Sequence, residues 1–187
     1  VEEYTKFSDE MMDKPLSYYA FQMLYWTGIR VGELLALTAS DFDFKSGTVT
    51  INKSYQRLHR EDVVTPPKTE KSNRTIKMPQ FLCDEMQEYL KMFYSPNDGD
   101  RIFPISKSYL HHEMDRGSKA AGVKRIRIHD LRHSHVSLLI NQGYQAAAIA
   151  DRVGHETVEI TDRYTHIYPS KQNEMANTLD ELWKERK

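Results

Sequence analysis

Apolar residues recur along most of this chain at the spacing of an α-helix. In the first such stretch, three of them occupy one helical face at i, i+3 and i+4: Phe21, Leu24 and Tyr25. Pro15 shortly before them suits the first turn of a helix, and Gly28 after them is a natural helix end. The pattern therefore predicts a helix that starts after Asp13 and stops before Gly28.

The same periodicity predicts a series of further helices. They cover residues 30–37, 81–94, 106–121, 129–141 and 145–153. Glycine follows three of them, where a helix commonly stops: Gly122, Gly143 and Gly154. A final amphipathic helix carries a stripe of four apolar residues: Met175, Leu179, Leu182 and Trp183.

Two short segments have the composition of β-strands instead. Residues 48–51 follow a Ser-Gly turn, and residues 74–78 form the second candidate. The intervening residues 66–73 are rich in proline, lysine and other polar residues, which favours an exposed loop or hairpin tip. The expected fold class is therefore α+β, a mostly helical domain with one small antiparallel sheet.

Composition narrows the class of protein without identifying it. At 187 residues, 39% hydrophobic and 28% charged, the chain has the balance of one soluble domain, with or without a docking tail. No apolar run approaches the roughly 20 residues that cross a bilayer. Cys83 is the only cysteine, which excludes an intrachain disulfide and favours a reducing, cytoplasmic setting. Because the chain begins at Val1, we expect it to be an excised part of a longer protein.

The net charge of −1 hides two basic stretches. Residues 45–77 hold eight Lys or Arg against three Asp or Glu, and residues 101–135 hold the same numbers. Such stretches suit a phosphate backbone. Charge alone leaves ordinary solvated surface as the simpler interpretation, so the stretches count only together with candidate chemistry.

Three short motifs, at residues 27–34, 129–133 and 153–164, carry that chemistry. They supply, in chain order, Arg30, His129, Arg132, His155 and Tyr164. Tyrosine is a poor nucleophile at its ordinary pKa of about 10, and a phosphodiester is anionic. A tyrosine that attacks a phosphodiester therefore needs positive charge around the phosphate and groups that exchange protons. Two arginines and two histidines meet both needs.

Several of these residues also have a simpler interpretation. His129 suits a capping or surface position, and with His133 it has the spacing of a zinc-binding pair. Asp130 stands where the zinc-peptidase motif places its glutamate, which argues against zinc. Arg30 has the spacing of a structural salt bridge with Glu33.

Taken together, the motifs resemble those of the tyrosine recombinase, or phage integrase, family. Thr-Gly-Ile-Arg-Val-Gly-Glu-Leu at residues 27–34 is similar to the motif of the family's first arginine, and His-Asp-Leu-Arg-His at residues 129–133 to its His-x-x-Arg motif. The Leu-Gly-His of the family becomes Val-Gly-His at residues 153–155, with a tyrosine nine residues later. That spacing selects Tyr164 over Tyr168 as the counterpart of the family's nucleophile.

The resemblance covers essentially the whole chain and implies the catalytic-core fold of the family. Residues 1–170 would form the catalytic domain, and residues 171–187 a helical tail for docking and oligomerisation. The N-terminal core-binding domain of the family would lie outside this chain.

The resemblance also implies a role for each motif residue. Arg30 and Arg132 would bind the scissile phosphate and neutralise the charge that grows in the transition state. His155 would hydrogen-bond a phosphate oxygen, and His129 would take part in proton transfer. Tyr164 would attack the phosphate, leaving a 3′-phosphotyrosine and a free 5′-hydroxyl.

The family also uses a lysine on a β-hairpin as the general acid for the leaving oxygen. Lys68 matches it best and Lys71 is the alternative, while residues 54–65 lengthen the hairpin relative to compact members. Because the covalent intermediate keeps the bond energy, no cofactor, metal ion or nucleotide is expected.

The implied function is that of a site-specific recombinase, an enzyme that cleaves and rejoins DNA for a phage or mobile element. The implied partners are double-stranded DNA at an attachment site, further copies of the chain in a tetramer on DNA, and accessory DNA-bending proteins. No membrane association is expected. Two alternatives stay open: a type IB topoisomerase that relaxes DNA by the same chemistry, and a catalytically idle DNA-binding domain with the same fold.

Overall fold

The computed structural model of the protein describes residues 1–59, 61–67, 69–93 and 99–155. Within these ranges the helices are α1 (Glu2–Asp9), α2 (Pro15–Thr27), α3 (Val31–Ala36), α4 (Gln80–Lys91), α5 (Lys107–Ala120), α6 (Ile128–Asn141) and α7 (Ala146–Val153). The strands are β1 (Phe42–Asp43), β2 (Thr48–Ile51), β3 (Ser54–Leu58), β4 (Glu61–Thr65) and β5 (Arg74–Lys77). The mostly helical α+β class is confirmed.

The helices begin and end at the residues that favour such boundaries. Pro15 occupies the first turn of α2, and α2 and α7 both end in a left-handed glycine, Gly28 (φ 68°) and Gly154 (φ 69°). The apolar pattern does not predict α1, because Tyr4 and Phe7 are the apolar side chains that this eight-residue helix buries. The helix predicted around residues 175–183 lies outside the described residues.

The predicted strands pair with each other. β2 lies at the centre of a three-stranded antiparallel sheet, with β1 on one side and β5 on the other. Val49 of β2 lies opposite Ile76 of β5, and both side chains are buried. This pairing attaches the sheet to the domain core.

The structure contains two sheets, whereas the sequence pattern predicts only one. β3 and β4 form a separate hairpin, with Ser54 opposite Thr65 and Leu58 opposite Glu61. The apolar pattern misses these strands because most of their side chains are exposed and polar. Residues 66–73 are therefore not the hairpin tip. They lead from β4 to β5 through a 3₁₀ turn, Glu70–Ser72.

α2 is the central element of the core. Its fully buried side chains include Phe21, Met23 and Leu24, and it contacts α3, α4 and α6. A helix that is apolar around most of its circumference belongs inside a domain. The C-terminal end of α2, at Gly28, consequently lies in the interior, beside His135 of α6 and Val153 of α7. Within the described ranges, no helix is both long enough and apolar enough for a membrane crossing.

Candidate active site

The structure describes four of the six residues that the motifs single out: Arg30, His129, Arg132 and His155. They come from the start of α3, the first turns of α6 and the residue that follows the end of α7. Lys68 and Tyr164 lie outside the described residues.

The turn between α2 and α3 fixes the position of Arg132. Gly28 has a φ of +68°, and a Cβ at this position would lie 2.6 Å from Cδ2 of His135, so the turn requires glycine. The carbonyl oxygen of Gly28 accepts a hydrogen bond from Nη1 of Arg132 at 2.7 Å. Since Arg132 is only 3% exposed, its guanidinium is held in the interior. Its acceptor, Gly28, precedes Arg30 by two residues, so the same turn positions both arginines.

Arg30 is held from two sides. Its Nη1 pairs with Oε1 of Glu33 at 2.8 Å, and its Nη2 donates a hydrogen bond to the carbonyl oxygen of Gly154 at 3.0 Å. The structural salt bridge that the i,i+3 spacing allows is therefore present. The side chain of Arg30 nevertheless stays 38% exposed, so a ligand has access to a guanidinium whose orientation is already set.

Glu33 joins Arg30 to a second arginine. Nη1 and Nη2 of Arg74 donate to the two carboxylate oxygens of Glu33 at 3.1 and 2.8 Å, and the two side chains are 6% and 4% exposed. Burial alone would raise the pKa of the Glu33 carboxyl, but Arg74 and Arg30 outweigh it, so the pKa is lowered. Nε of Arg74 also donates to the carbonyl oxygen of Arg152 at 3.0 Å, which ties this buried pair to the end of α7.

The turn before His155 is also crowded, although less so than the turn at Gly28. Gly154 has a φ of +69°, and a Cβ there would lie 3.0 Å from Nη1 of Arg74 and 3.1 Å from the carbonyl oxygen of Lys71. The backbone N–H of His155 closes the turn by donating to the carbonyl oxygen of Ala150 at 2.9 Å. The path of the chain into His155 is thereby determined by α7 and by the segment that precedes β5.

The charge state of His155 follows from its surroundings. Burial, followed by the positive charges of Arg132 and Arg30, lowers the pKa of His155 to about 4. The imidazole is therefore neutral near pH 7 and keeps one N–H that can donate a hydrogen bond. The influence of both arginines on this pKa also indicates that the three side chains share one region of the domain.

His129 and His133 lie on one face of α6, as their spacing predicts. Their rings meet edge to face, with centroids 4.8 Å apart and ring planes at 90°. Burial lowers the pKa of both side chains, and the charges of His133 and Arg132 lower that of His129 further. Among the residues that the structure describes, no group of three potential metal ligands comes together.

Two partly buried arginines of this region, Arg74 and Arg152, belong to no motif in the sequence. One available signal for Arg74 is Glu33, which stands next to the buried residues of α3 and so requires cations in the interior. Arg152 follows the buried Ile149 by three residues, which places it beside the buried face of α7. Neither feature of the sequence predicts which acceptor each arginine hydrogen-bonds.

The arrangement is suited to an anion with tetrahedral geometry. Four arginines gather around the ends of α2 and α7, and Glu33 pairs with two of them. Guanidinium groups form charge-assisted hydrogen bonds with phosphate oxygens, and a neutral imidazole adds a donor. Because their neighbours fix Arg30, Arg74 and Arg132, these arginines can stabilise charge that develops on a bound phosphate without reorganising first.

Comparisons with known proteins agree with this chemistry. The sequence model of the phage integrase family matches residues 1–171. The chain is 36% identical to the ICEBs1 integrase of Bacillus subtilis (strain 168), over 97% of this chain and 53% of that protein. It is 30% identical to the integrase of Staphylococcus phage L54a, over 83% of this chain and 49% of that protein. The chain thus spans about half the length of these relatives.

A solved structure shares the fold. The Tn1549 transposon integrase, in complex with a circular intermediate DNA, superimposes with a TM-score of 0.80 at 22% identity. The match covers 96% of this chain and 63% of that one. The expected catalytic-core fold is confirmed.

Proposed function

This chain belongs to the phage integrase family, and from that premise we propose that it is the catalytic part of a site-specific DNA recombinase of a phage or other mobile element. Residues 1–170 form the catalytic domain in this proposal, and residues 171–187 form a docking tail. The product of the reaction is DNA whose strands have been cleaved and rejoined to new partners.

The observation that carries the proposal is the meeting of Arg30, Arg132 and His155. Arg30 hydrogen-bonds the carbonyl oxygen directly before His155, and Arg132 hydrogen-bonds the turn directly before Arg30. Three donors from distant parts of the chain are thereby linked through two glycine turns. Such a cluster supports a scissile phosphate bound by two guanidinium groups and one neutral imidazole.

The proposed reaction proceeds in two transesterifications. The hydroxyl oxygen of Tyr164 attacks the phosphorus, the bond to the 5′-oxygen breaks, and a 3′-phosphotyrosine remains. His129 serves in proton transfer with the tyrosine, and Lys68, or Lys71 as the alternative, protonates the leaving 5′-oxygen. The 5′-hydroxyl of a partner strand then attacks the phosphotyrosine and releases Tyr164, so no external energy source is consumed.

Double-stranded DNA at an attachment site is the proposed substrate. The basic stretches at residues 45–77 and 101–135 supply Lys and Arg for its phosphate backbone; Arg116, which pairs with Glu113 and Asp13, is not counted among them. The Tn1549 transposon integrase, which shares the fold, was solved in complex with DNA. Exchange between two sites requires several copies of the enzyme, so we propose a tetramer on DNA, assisted by accessory DNA-bending proteins.

A plasmid assay with the full-length protein tests the function. A recombinase converts a plasmid with two paired attachment sites into recombinant products and leaves a plasmid without sites supercoiled. Relaxation of the plasmid without sites would instead favour a type IB topoisomerase. DNA binding with neither product would favour a catalytically idle DNA-binding domain.

A further inference from the structure

A polar cluster centred on Arg152 lies beside the phosphate site. To other described residues the guanidinium donates three hydrogen bonds: Nε to Nε2 of His135 at 3.1 Å, Nη1 to the carbonyl oxygen of Lys77 at 2.9 Å, and Nη2 to the carbonyl oxygen of Trp26 at 3.2 Å. These acceptors belong to α6, to the end of β5 and to the last turn of α2. One side chain of α7 thus joins three other elements.

Most of the elements that Arg152 joins carry a part of the site. α2 leads into the turn before Arg30, α6 carries Arg132, and α7 itself leads into His155. A change in the length or angle of these three hydrogen bonds therefore changes the relative positions of all three groups that face the phosphate.

His135 transmits this constraint to Arg132. It is 3% exposed, and its ring lies so close to Gly28 that a Cβ there would be 2.6 Å from Cδ2. The carbonyl oxygen of the same Gly28 holds Nη1 of Arg132. Because Arg152 donates to Nε2 of His135, the imidazole is neutral, which agrees with a pKa that burial and the charge of Arg152 lower to about 3.

A stabilising role alone does not account for this arrangement. Among the residues that the structure describes, Arg152 donates to two carbonyl oxygens and an imidazole, all of them neutral. Burial and the charge of Arg74 lower the pKa of Arg152, so the interior does not favour the cation. The described residues offer Arg152 no carboxylate partner, and a partly buried cation in such surroundings costs desolvation free energy that a packed apolar side chain would avoid. The guanidinium instead holds α2, α6 and the end of β5 at fixed positions relative to α7.

We propose that Arg152 and His135 are positioning residues of the phosphate site. They hold the Gly28 turn and the end of α7 in one arrangement, and so place Arg132 and His155 before DNA binds. The inference rests on the proposed function, because it assigns the pair a role in phosphodiester cleavage. At such a site, a displacement of a charged group by about 1 Å is enough to slow the reaction.

The test compares Arg152→Lys with Arg116→Lys in the full-length protein. Arg116 is a matched control because it is also a partly buried arginine with several bonds, but it pairs with Glu113 and Asp13, away from the site. A lysine cannot make three bonds in the plane of a guanidinium. On nicked attachment-site DNA we expect Arg152→Lys to slow formation of the covalent adduct by about 10-fold or more. Arg116→Lys should retain the wild-type rate, and both variants should retain DNA affinity.

A second substrate separates positioning from a weakened fold. A methylphosphonate at the scissile position has lost the negative charge, so its cleavage depends less on the placement of arginines. The penalty of Arg152→Lys should therefore shrink on this substrate. A variant that had merely lost folded protein would be impaired equally on both substrates.

Two substitutions of His135 extend the test. The side-chain oxygen of glutamine can accept the hydrogen bond from Arg152, whereas leucine fills similar space without an acceptor. We expect His135→Gln to keep more of the cleavage rate than His135→Leu, with thermal unfolding recorded for both.

The possible results separate a failure of the proposed function from a failure of the positioning role alone. A wild-type protein that forms no adduct would refute the proposed function, and with it this inference. A wild-type adduct together with an undiminished rate for Arg152→Lys would refute the positioning role alone. An equal penalty on the phosphodiester and the methylphosphonate would refute it as well.

Discussion

Arg30 has an observed structural task in this protein in addition to the chemical task that we propose for it. One terminal nitrogen pairs with Glu33, and the other donates to the carbonyl oxygen of Gly154. Arg74 pairs with the same carboxylate, so Glu33 neutralises only part of the positive charge around it. The guanidinium of Arg30 is therefore oriented in the absence of DNA and still carries charge for a phosphate.

Replacement of either site arginine should impair chemistry more than binding. Arg30→Ala or Arg132→Ala removes charge-assisted bonds that tighten in the transition state, so cleavage should slow by roughly 100-fold or more. DNA affinity should fall much less, because many other Lys and Arg contribute to it. Single-turnover cleavage and a binding titration measure the two effects, with Arg116→Ala as the control. A near-wild-type cleavage rate would assign that arginine a structural role only.

The neutral His135 should make the fold sensitive to acid. The unfolded chain binds a proton at this residue below about pH 6.5, whereas the folded chain resists protonation down to about pH 3. The free energy of unfolding should therefore decrease as the pH falls through this window. Urea unfolding at pH 7 and at pH 4.5 should show a smaller loss for His135→Gln than for wild type. An identical pH dependence in the two proteins would contradict a buried neutral imidazole.

A short motif makes a residue recognisable in the sequence, whereas a residue that acts through distant contacts leaves no such pattern. Arg30, Arg132 and His155 belong to motifs, and hydrogen bonds through Gly28 and Gly154 link the segments that carry them, while their chemical roles stay predictions. Arg152 is not recognisable in this way, because its role depends on the carbonyl oxygen of Trp26, 126 residues away in sequence. No local pattern reports such a contact.

At the scale of elements, two glycine turns determine the geometry of the site. Gly28 ends α2 and Gly154 ends α7, and each lies against a polar side chain that supports the site. Both helix ends are predictable from glycine after an apolar stretch. The sequence does not show that the two turns lie side by side, because this follows from the packing of α2 and α7 against α6.

A matched pair of glycine substitutions tests the importance of the first turn. Gly28 and Gly122 have φ values of 68° and 65°, but a Cβ at Gly122 would meet nothing within 4 Å. Gly122→Ala should therefore cost only the left-handed backbone penalty, roughly 1–2 kcal/mol. Gly28→Ala adds a clash with His135 and should cost clearly more in urea unfolding of the full-length protein. Equal costs would mean that the interior yields at Gly28 and does not hold the turn in place.

The missed elements share a physical cause. α1 buries few apolar side chains, and β3 and β4 are mostly exposed, so neither leaves a periodic apolar pattern. Their positions are set by tertiary contacts. Arg101, for example, lies over the ring of Tyr55 at 4.0 Å and attaches the hairpin to the domain. Periodicity predicts the core of this fold, and it does not predict the elements that pack against the outside.

At the scale of the whole molecule, we propose that the tail at residues 171–187 connects the domain to its assembly. Met175, Leu179, Leu182 and Trp183 form an apolar stripe in the sequence, and a helix this short does not persist alone in water. The stripe therefore needs a partner surface, either on its own domain or on another copy. The family resemblance favours another copy.

Truncation after Ser170 in the full-length protein tests docking between copies. If the tail joins protomers on DNA, recombination between two sites should be lost while cleavage of a single site persists. Both are measured with the same attachment-site DNA, which makes single-site cleavage the internal control. Undiminished recombination by the truncated protein would show that the tail is dispensable for assembly.

In the proposed reaction the arginine and histidine cluster serves a tyrosine nucleophile, and Tyr164 is the proposed one. The most direct measurement is to trap the covalent adduct on a nicked suicide substrate and to identify the modified peptide by mass spectrometry. We expect DNA attached to Tyr164, no adduct with Tyr164→Phe, and normal adduct with Tyr168→Phe, since phenylalanine removes only the hydroxyl. Attachment at Tyr168, or an adduct that survives Tyr164→Phe, would contradict the account.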